Sequence, residues 1–252
     1  MPPIALLLLV AHSLLPLTAR PVATSASAPP RVGDPVSVVP APRTDGGGAE
    51  RQAEVLRRVR EAQSVRVVFL GDSITQGWED EGASVWKDRI APLGALQIGV
   101  GGDRTEHVLW RLTEAPLAPL APRAIVLMIG TNNLGHGSSN AEQTLLGIRR
   151  VVAVLREQCP RSTILLLDVF PRGERLNPMR GDVAQINQAL TRLDDGTHVR
   201  FVRVGDRFVE PDGSIKKETM PDFLHLSEAG YRTWGDAIVP EIERVLGDAK
   251  SK

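Results

Sequence analysis

The chain has little that could cross-link it or hold a metal. Its 252 residues contain one cysteine, Cys159, which excludes an internal disulfide and a cysteine-built zinc site and suits a packed thiol. Helical His-Glu-x-x-His is missing too, so no metal is expected. Charge of one sign is not in excess. Thirty basic residues balance thirty acidic ones, leaving no global field to recruit nucleic acid or an anionic membrane, and a small neutral substrate fits better. No apolar run reaches the roughly 20 residues of a membrane-crossing helix. The longest, Ile4 to Leu17, has the length of a signal-peptide core, and Ala26-Ser27-Ala28 supplies small residues for cleavage. There is no internal repeat.

These features divide the chain into three parts. Residues 1–28 read as an export signal, implying a secreted or periplasmic protein, although Met1-Pro2-Pro3 lacks the usual basic residue and leaves a retained anchor open. Residues 29–48, rich in proline, glycine and small side chains, predict a disordered linker. Residues 49–248 predict one folded domain, long enough for a sizeable core.

Within that domain, apolar runs alternate with amphipathic stretches. Strands are expected over 65–70, 96–100, 124–129, 163–170 and 199–204. Helical spacing appears from 51 to 63, from Thr105, from Asn140 or Ala141, over 183–193, and in a last helix carrying Trp234, Ile238, Ile242 and Val245, for which Ser227 is the expected N-cap. Such alternation predicts an α/β fold, a parallel sheet of about five strands between helical layers. A 2-1-3-4-5 strand order would put a switch point, and hence a ligand crevice, beside the first strand.

That first strand ends in Gly71-Asp72-Ser73-Ile74-Thr75-Gln76-Gly77. By itself Ser73 with Gln76 is as well read as a helix capping box. Other strand ends supply chemical partners for the serine. His225 can act as its base and Asp222 can fix the tautomer of that imidazole. The Ser73 and Gly102 N–H groups and the Asn132 amide can stabilise an oxyanion. His107 and His136 are rival bases, but neither has an acid at matching spacing; His107 reads as a surface or packing residue and His136 as a loop residue near the mouth. Asp72 and Asp103 read as backbone braces. Gly99-x-Gly101 could open a dinucleotide loop, but Arg104 stands where the third glycine belongs, which argues against nucleotide binding.

Ser73, Gly102, Asn132 and His225, in that order, resemble the four marker residues of the GDSL or SGNH hydrolases. Ile98-Gly99-Val100-Gly101-Gly102-Asp103-Arg104-Thr105, His107-Val108-Leu109-Trp110-Arg111-Leu112, Gly130-Thr131-Asn132-Asn133, Pro171-Arg172-Gly173-Glu174 and Asp222-Phe223-Leu224-His225-Leu226 look like the branch containing the catalytic subunits of brain platelet-activating-factor acetylhydrolase. The resemblance spans roughly 65–246. It implies a flavodoxin-like α/β/α sandwich, Ser73 as nucleophile, His225 as base, Asp222 as orienting acid, Gly102 and Asn132 in the oxyanion hole, and no cofactor. The expected activity is hydrolysis of short-chain, chiefly acetyl, esters, with a glycan or other small molecule as acyl carrier. Alternatives are a phospholipid acetylhydrolase, a non-catalytic carbohydrate-binding domain on the same fold, and flavin or nucleotide binding. A homodimer is left open, as are the roles of His136, Asp103 and Asn133.

Overall fold

The structure, a computed structural model, describes residues 31–247; the expected signal segment lies outside the described residues. Five strands are present among the described residues, β1 (Val67–Gly71), β2 (Ala95–Gln97), β3 (Ala124–Met128), β4 (Thr163–Leu167) and β5 (Val199–Val202). They form one sheet in the order β2-β1-β3-β4-β5, every pair parallel. Val67 lies opposite Ala95 on one side and Ala124 on the other. The order reverses at β1, whose carboxyl end is therefore the switch point where open α/β sheets leave a crevice.

Buried on both faces, β1 and β3 are apolar without alternation. Val68, Leu70, Ile125 and Leu127 pack under α1 (Gly46–Glu61), α4 (Thr105–Glu114), α6 (Ala141–Gln158) and α7 (Pro178–Leu190). Val67, Phe69, Val126 and Met128 face α8 (Glu228–Gly247) and the short turns of 77–93, which include α3 (Ala83–Val85). Two very short helices, α2 (Ser73–Gln76) and α5 (Thr131–Gly135), start at the carboxyl ends of β1 and β3. The few aromatic residues are concentrated on the α8 face, where Phe69, Trp78, Tyr231 and Trp234 contact one another. From there Tyr231 donates its hydroxyl to Ile74 O at 2.7 Å, tying α8 to α2.

Side chains set the helix ends. Asn140 and Gln143 form a capping box on α6, Asn177 caps α7 ahead of Pro178, and Ser227 Oγ accepts from Gly230 N at 3.2 Å at the start of α8. Cys159 is buried and unbonded to any other cysteine, and burial pushes its thiol pKa up. No helix among the described residues is long and apolar enough to cross a membrane.

The linker expectation needs correction over 31–48. Val36–Val38 forms a 3-10 turn, and Ser37 is fully buried, donating to Gln143 O at 2.6 Å while its own carbonyl accepts from Thr105 Oγ1 at 2.8 Å. Asp45 accepts from Gly48 N and caps α1, which therefore begins before residue 51. The domain thus starts ahead of residue 49. Composition reports local propensity, whereas this segment is ordered by distant partners on α4 and α6. The expected strands over 96–100, 163–170 and 199–204 are also too long. Past Gln97 the chain still meets β1, through Ile98 N to Phe69 O at 2.9 Å and Val100 N to Gly71 O at 3.2 Å, but it is turning into the site.

Candidate active site

At the carboxyl end of β1 it is Asp72, not Ser73, that caps α2: its Oδ1 accepts from Ile74 N at 3.0 Å. Gln76, the expected capping partner, instead accepts from Gly101 N at 2.8 Å. The capping-box reading of Ser73 is therefore overturned. Released from that duty, the Ser73 hydroxyl lies 3.0 Å from His225 Nε2. Its own N–H belongs to the first turn of α2, where no intrahelical acceptor exists.

His225 reaches the serine from the loop before α8. Its Nδ1 is 2.6 Å from Asp222 Oδ2, and Asp222 Oδ1 accepts from Leu224 N at 3.0 Å and His225 N at 2.7 Å. This compact turn puts Phe223 at φ +60, a costly value for a bulky residue. Two hydrogen bonds hold it there, Phe223 N to Met220 O at 2.9 Å and Gly173 N to Phe223 O at 2.8 Å. Partial desolvation raises the Asp222 pKa, but bonds from the His225 ring and from the two amides outweigh it and keep the carboxylate below its ordinary range. With Nδ1–H given to Asp222, Nε2 is left to accept the serine proton.

The opposite wall comes from the segment after β2. Gly99 allows it to approach: a Cβ there would stand 2.4 Å from Gln76 N and 2.8 Å from Asp72 O. Gly102 adopts φ +74, in the left-handed region that glycine tolerates. Asn132, buried in α5, donates Nδ2 to Asp103 O at 3.0 Å, which fixes the plane of its amide. Asp103 itself is fully buried. Arg111 approaches it at 3.0 Å and Arg43 at 3.2 Å, and burial raises its pKa against the pull of both cations. Arg111 also donates to Ile98 O at 2.8 Å and Gly71 O at 3.2 Å, clamping the ends of two strands.

Ser73, Asp222 and His225 are thus brought into one hydrogen-bonded chain, with Gly102 and Asn132 on the segments beside it. Asn133 is turned away. Its amide accepts from Thr105 N and donates to Thr105 Oγ1 and Glu106, pinning α5 to the start of α4. His107 is a buried packing residue whose Nδ1 accepts from Arg104 N at 3.1 Å; burial and neighbouring arginines lower its pKa to about 3. His136 is exposed and shares a cavity with Gly102. Sequence reasoning missed Gln76, Arg43 and Arg111 as supports of the site. Arg43 carried no signal, lying in a stretch read as a linker, and Arg111 stood inside a quoted motif without a role of its own.

Residues 69–233, about two thirds of the chain, match the model of the GDSL-like lipase/acylhydrolase family. The chain belongs to that family. It is 40% identical over 167 residues to the platelet-activating factor acetylhydrolase IB subunit alpha1 of Homo sapiens, covering 66% of this chain and 70% of that one. To the alpha2 subunit of Rattus norvegicus it is 39% identical over 166 residues, with 66% and 70% covered. Among solved structures, a GDSL-like lipase from Bacteroides thetaiotaomicron superposes with a TM-score of 0.63 at 23% identity, covering 77% of this chain and 98% of that one. An acetylxylan esterase from Geobacillus stearothermophilus gives 0.56 at 18%, covering 72% and 95%. At these identities the structural likeness establishes the fold, and the family makes this GDSL chain an ester hydrolase.

In this GDSL chain the acid beside Ser73 carries a pH dependence of its own. Asp72 is fully buried, its Oδ2 meets no hydrogen-bond partner among the described residues, and desolvation raises its pKa from 3.8 to about 7. The folded state keeps this proton up to about pH 7, whereas the unfolded chain releases it near 4. Stability from Asp72 is therefore fully present below about pH 4 and is lost as pH rises through about 7, a change of roughly 4 kcal/mol. Asp168, raised by burial to about 6, adds in the same direction. The Asp72→Asn variant keeps the oxygen that caps α2. Its melting temperature relative to wild type should rise between pH 4.5 and pH 8; parallel curves would contradict the assignment.

Proposed function

We propose that this GDSL acylhydrolase is a serine esterase that hydrolyses short-chain esters, acetyl esters foremost, through an acyl-enzyme. The observation that carries this reading is His225, bonded through one ring nitrogen to Ser73 and through the other to Asp222. Ser73 Oγ attacks the ester carbonyl as His225 Nε2 takes its proton, and Asp222 stabilises the resulting imidazolium. The Ser73 and Gly102 N–H groups and the Asn132 amide receive the oxyanion. Collapse breaks the bond to the alcohol, which leaves with the proton from His225 Nε2. Water, deprotonated by the same nitrogen, then attacks the acyl-serine carbonyl. The carboxylic acid departs and Ser73 regains its proton.

As acyl carrier we place an acetylated glycan ahead of a phospholipid. The leader-like run at 4–17 supports export, which would bring the enzyme to extracellular glycans, and the fold is shared with an acetylxylan esterase. The similarity to platelet-activating factor acetylhydrolase subunits supports the lipid reading instead. Acetate released from acetylated xylan, compared with an acetyl phospholipid at matched ester concentration, decides between them. Faster release from the phospholipid would reverse the order.

A further inference from the structure

Beside Gly102 lies a cavity of about 280 Å³ whose walls include Arg43, Asp45, Arg104, His107 and His136. It shares Gly102 with the candidate oxyanion hole, so a substrate held at Ser73 has this cavity next to its reacting carbonyl. Its polar walls give an alkyl chain nothing to pack against.

The donors facing it are largely unspent. Arg104 gives its Nε to Glu106. Its Nη2 lies 3.3 Å from His107 Nε2, but His107 Nδ1 already accepts from Arg104 N. A neutral imidazole accepting at Nδ1 carries its hydrogen on Nε2 and cannot accept there as well. The Arg104 Nη groups and the His107 Nε2–H are therefore donors without an acceptor among the described residues. Arg43 is more committed, pairing with Asp45 at 2.6 Å and with Asp103.

Three arginines and one carboxylate, Asp45, act on the cavity at His136. Burial first, and then Arg104, Arg172 and Arg43, hold the His136 pKa below the ordinary value, with Asp45 opposing them. Asp103 and Glu106 are already matched by Arg111, Arg43 and Arg104. Balanced charge over the whole chain thus conceals a local gathering of unspent donors beside the serine.

We propose that this cavity is a subsite for an anionic group, a phosphate or carboxylate carried by the same molecule as the scissile ester, with Arg104, His107 and His136 as its ligands. The inference rests on the esterase reading for its place in catalysis, but anion binding can be measured without turnover. An anion seated among these groups favours the protonated form of His136. In an NMR titration of the full chain with inorganic phosphate, the His136 pKa should rise by about one pH unit, and should not move in Arg104→Gln. An unmoved His136 in wild type would overturn the site.

The catalytic test compares acetylated glycerol 3-phosphate with acetylated glycerol, and an O-acetylated methyl glucuronoside with the corresponding glucoside. Wild type should favour the anionic member of at least one pair by about tenfold in kcat/KM, equivalent to about 1.4 kcal/mol. The pair showing the preference identifies the anion. In Arg104→Gln that ratio should fall towards one. Arg104→Lys keeps a charge beside the buried Glu106 if the neutral variant folds poorly, and should give an intermediate ratio. Ratios near one in both wild-type pairs, or an unchanged ratio in folded Arg104 variants, would refute the subsite. Turnover of acetylated glycerol by wild type tests the esterase reading separately.

Discussion

Ser73→Ala should lower turnover of 4-nitrophenyl acetate by about three orders of magnitude or more and abolish labelling by a fluorophosphonate probe. Among the described residues the hydroxyl has one hydrogen-bond partner, His225 Nε2, so its loss removes the proposed nucleophile and leaves the packing of β1 and α2 intact. An unchanged circular dichroism spectrum should accompany the inactive protein. His225→Ala should fall as far, because no other base among the described residues is hydrogen-bonded to the serine hydroxyl. Asp222→Asn separates two duties of that side chain. It retains an oxygen for the Leu224 and His225 amides, keeping the turn that holds Phe223 at positive φ, but loses the charge that stabilises the imidazolium. A rate in Ser73→Ala equal to wild type, with labelling preserved, would remove the serine from the mechanism. A folded wild type that neither labels nor turns over would move the assignment to a binding domain on this fold. Longer acyl chains run alongside would measure how small the acyl pocket is.

Arg111→Met should be the most destabilising single change near the site. The guanidinium is 3% exposed, pairs with a fully buried Asp103, and donates to two strand-end carbonyls. Methionine fills most of the volume but leaves Asp103 with only Arg43 and both carbonyls without that donor. Breaking one side of a buried ion pair costs about 3–5 kcal/mol, so the melting temperature should drop by about 10 °C or more. Activity of the remaining folded protein should fall as well, since the Asp103 carbonyl orients the Asn132 amide. Adding Asp103→Asn removes the stranded charge and should restore part of the loss. A melting temperature within two or three degrees of wild type would show that Arg43 alone satisfies Asp103.

Much of this architecture is legible in residue order because its causes are local. An apolar run such as Val67–Leu70 can only be buried on both faces, and amphipathic stretches between such runs require crossovers, so a parallel sheet follows. Ser73, Asp222 and His225 were likewise nominated by chemical type, since the proposed serine esterase needs a nucleophile, a base and an acid, and each stands beyond a strand or just before a helix. Strand ends were the least legible, because the sheet stops where the chain bends into the site, as at Ile98 to Val100.

Sequence by itself thus determined the fold class and the family and nominated the five candidate site residues, because period, turn chemistry and motif order survive without coordinates. Only the tertiary structure decided that Asp72 and not Ser73 caps α2, that 31–48 is ordered through Ser37 and Arg43 by distant helices and loops, and that Asn133 braces α4 while Asn132 donates to Asp103 O. It also gathered Arg43, Arg104 and His136, separated along the chain, around one cavity. The two arginine charges disappear into a balanced composition and act together only in space, because an electrostatic field depends on distance and not on residue number.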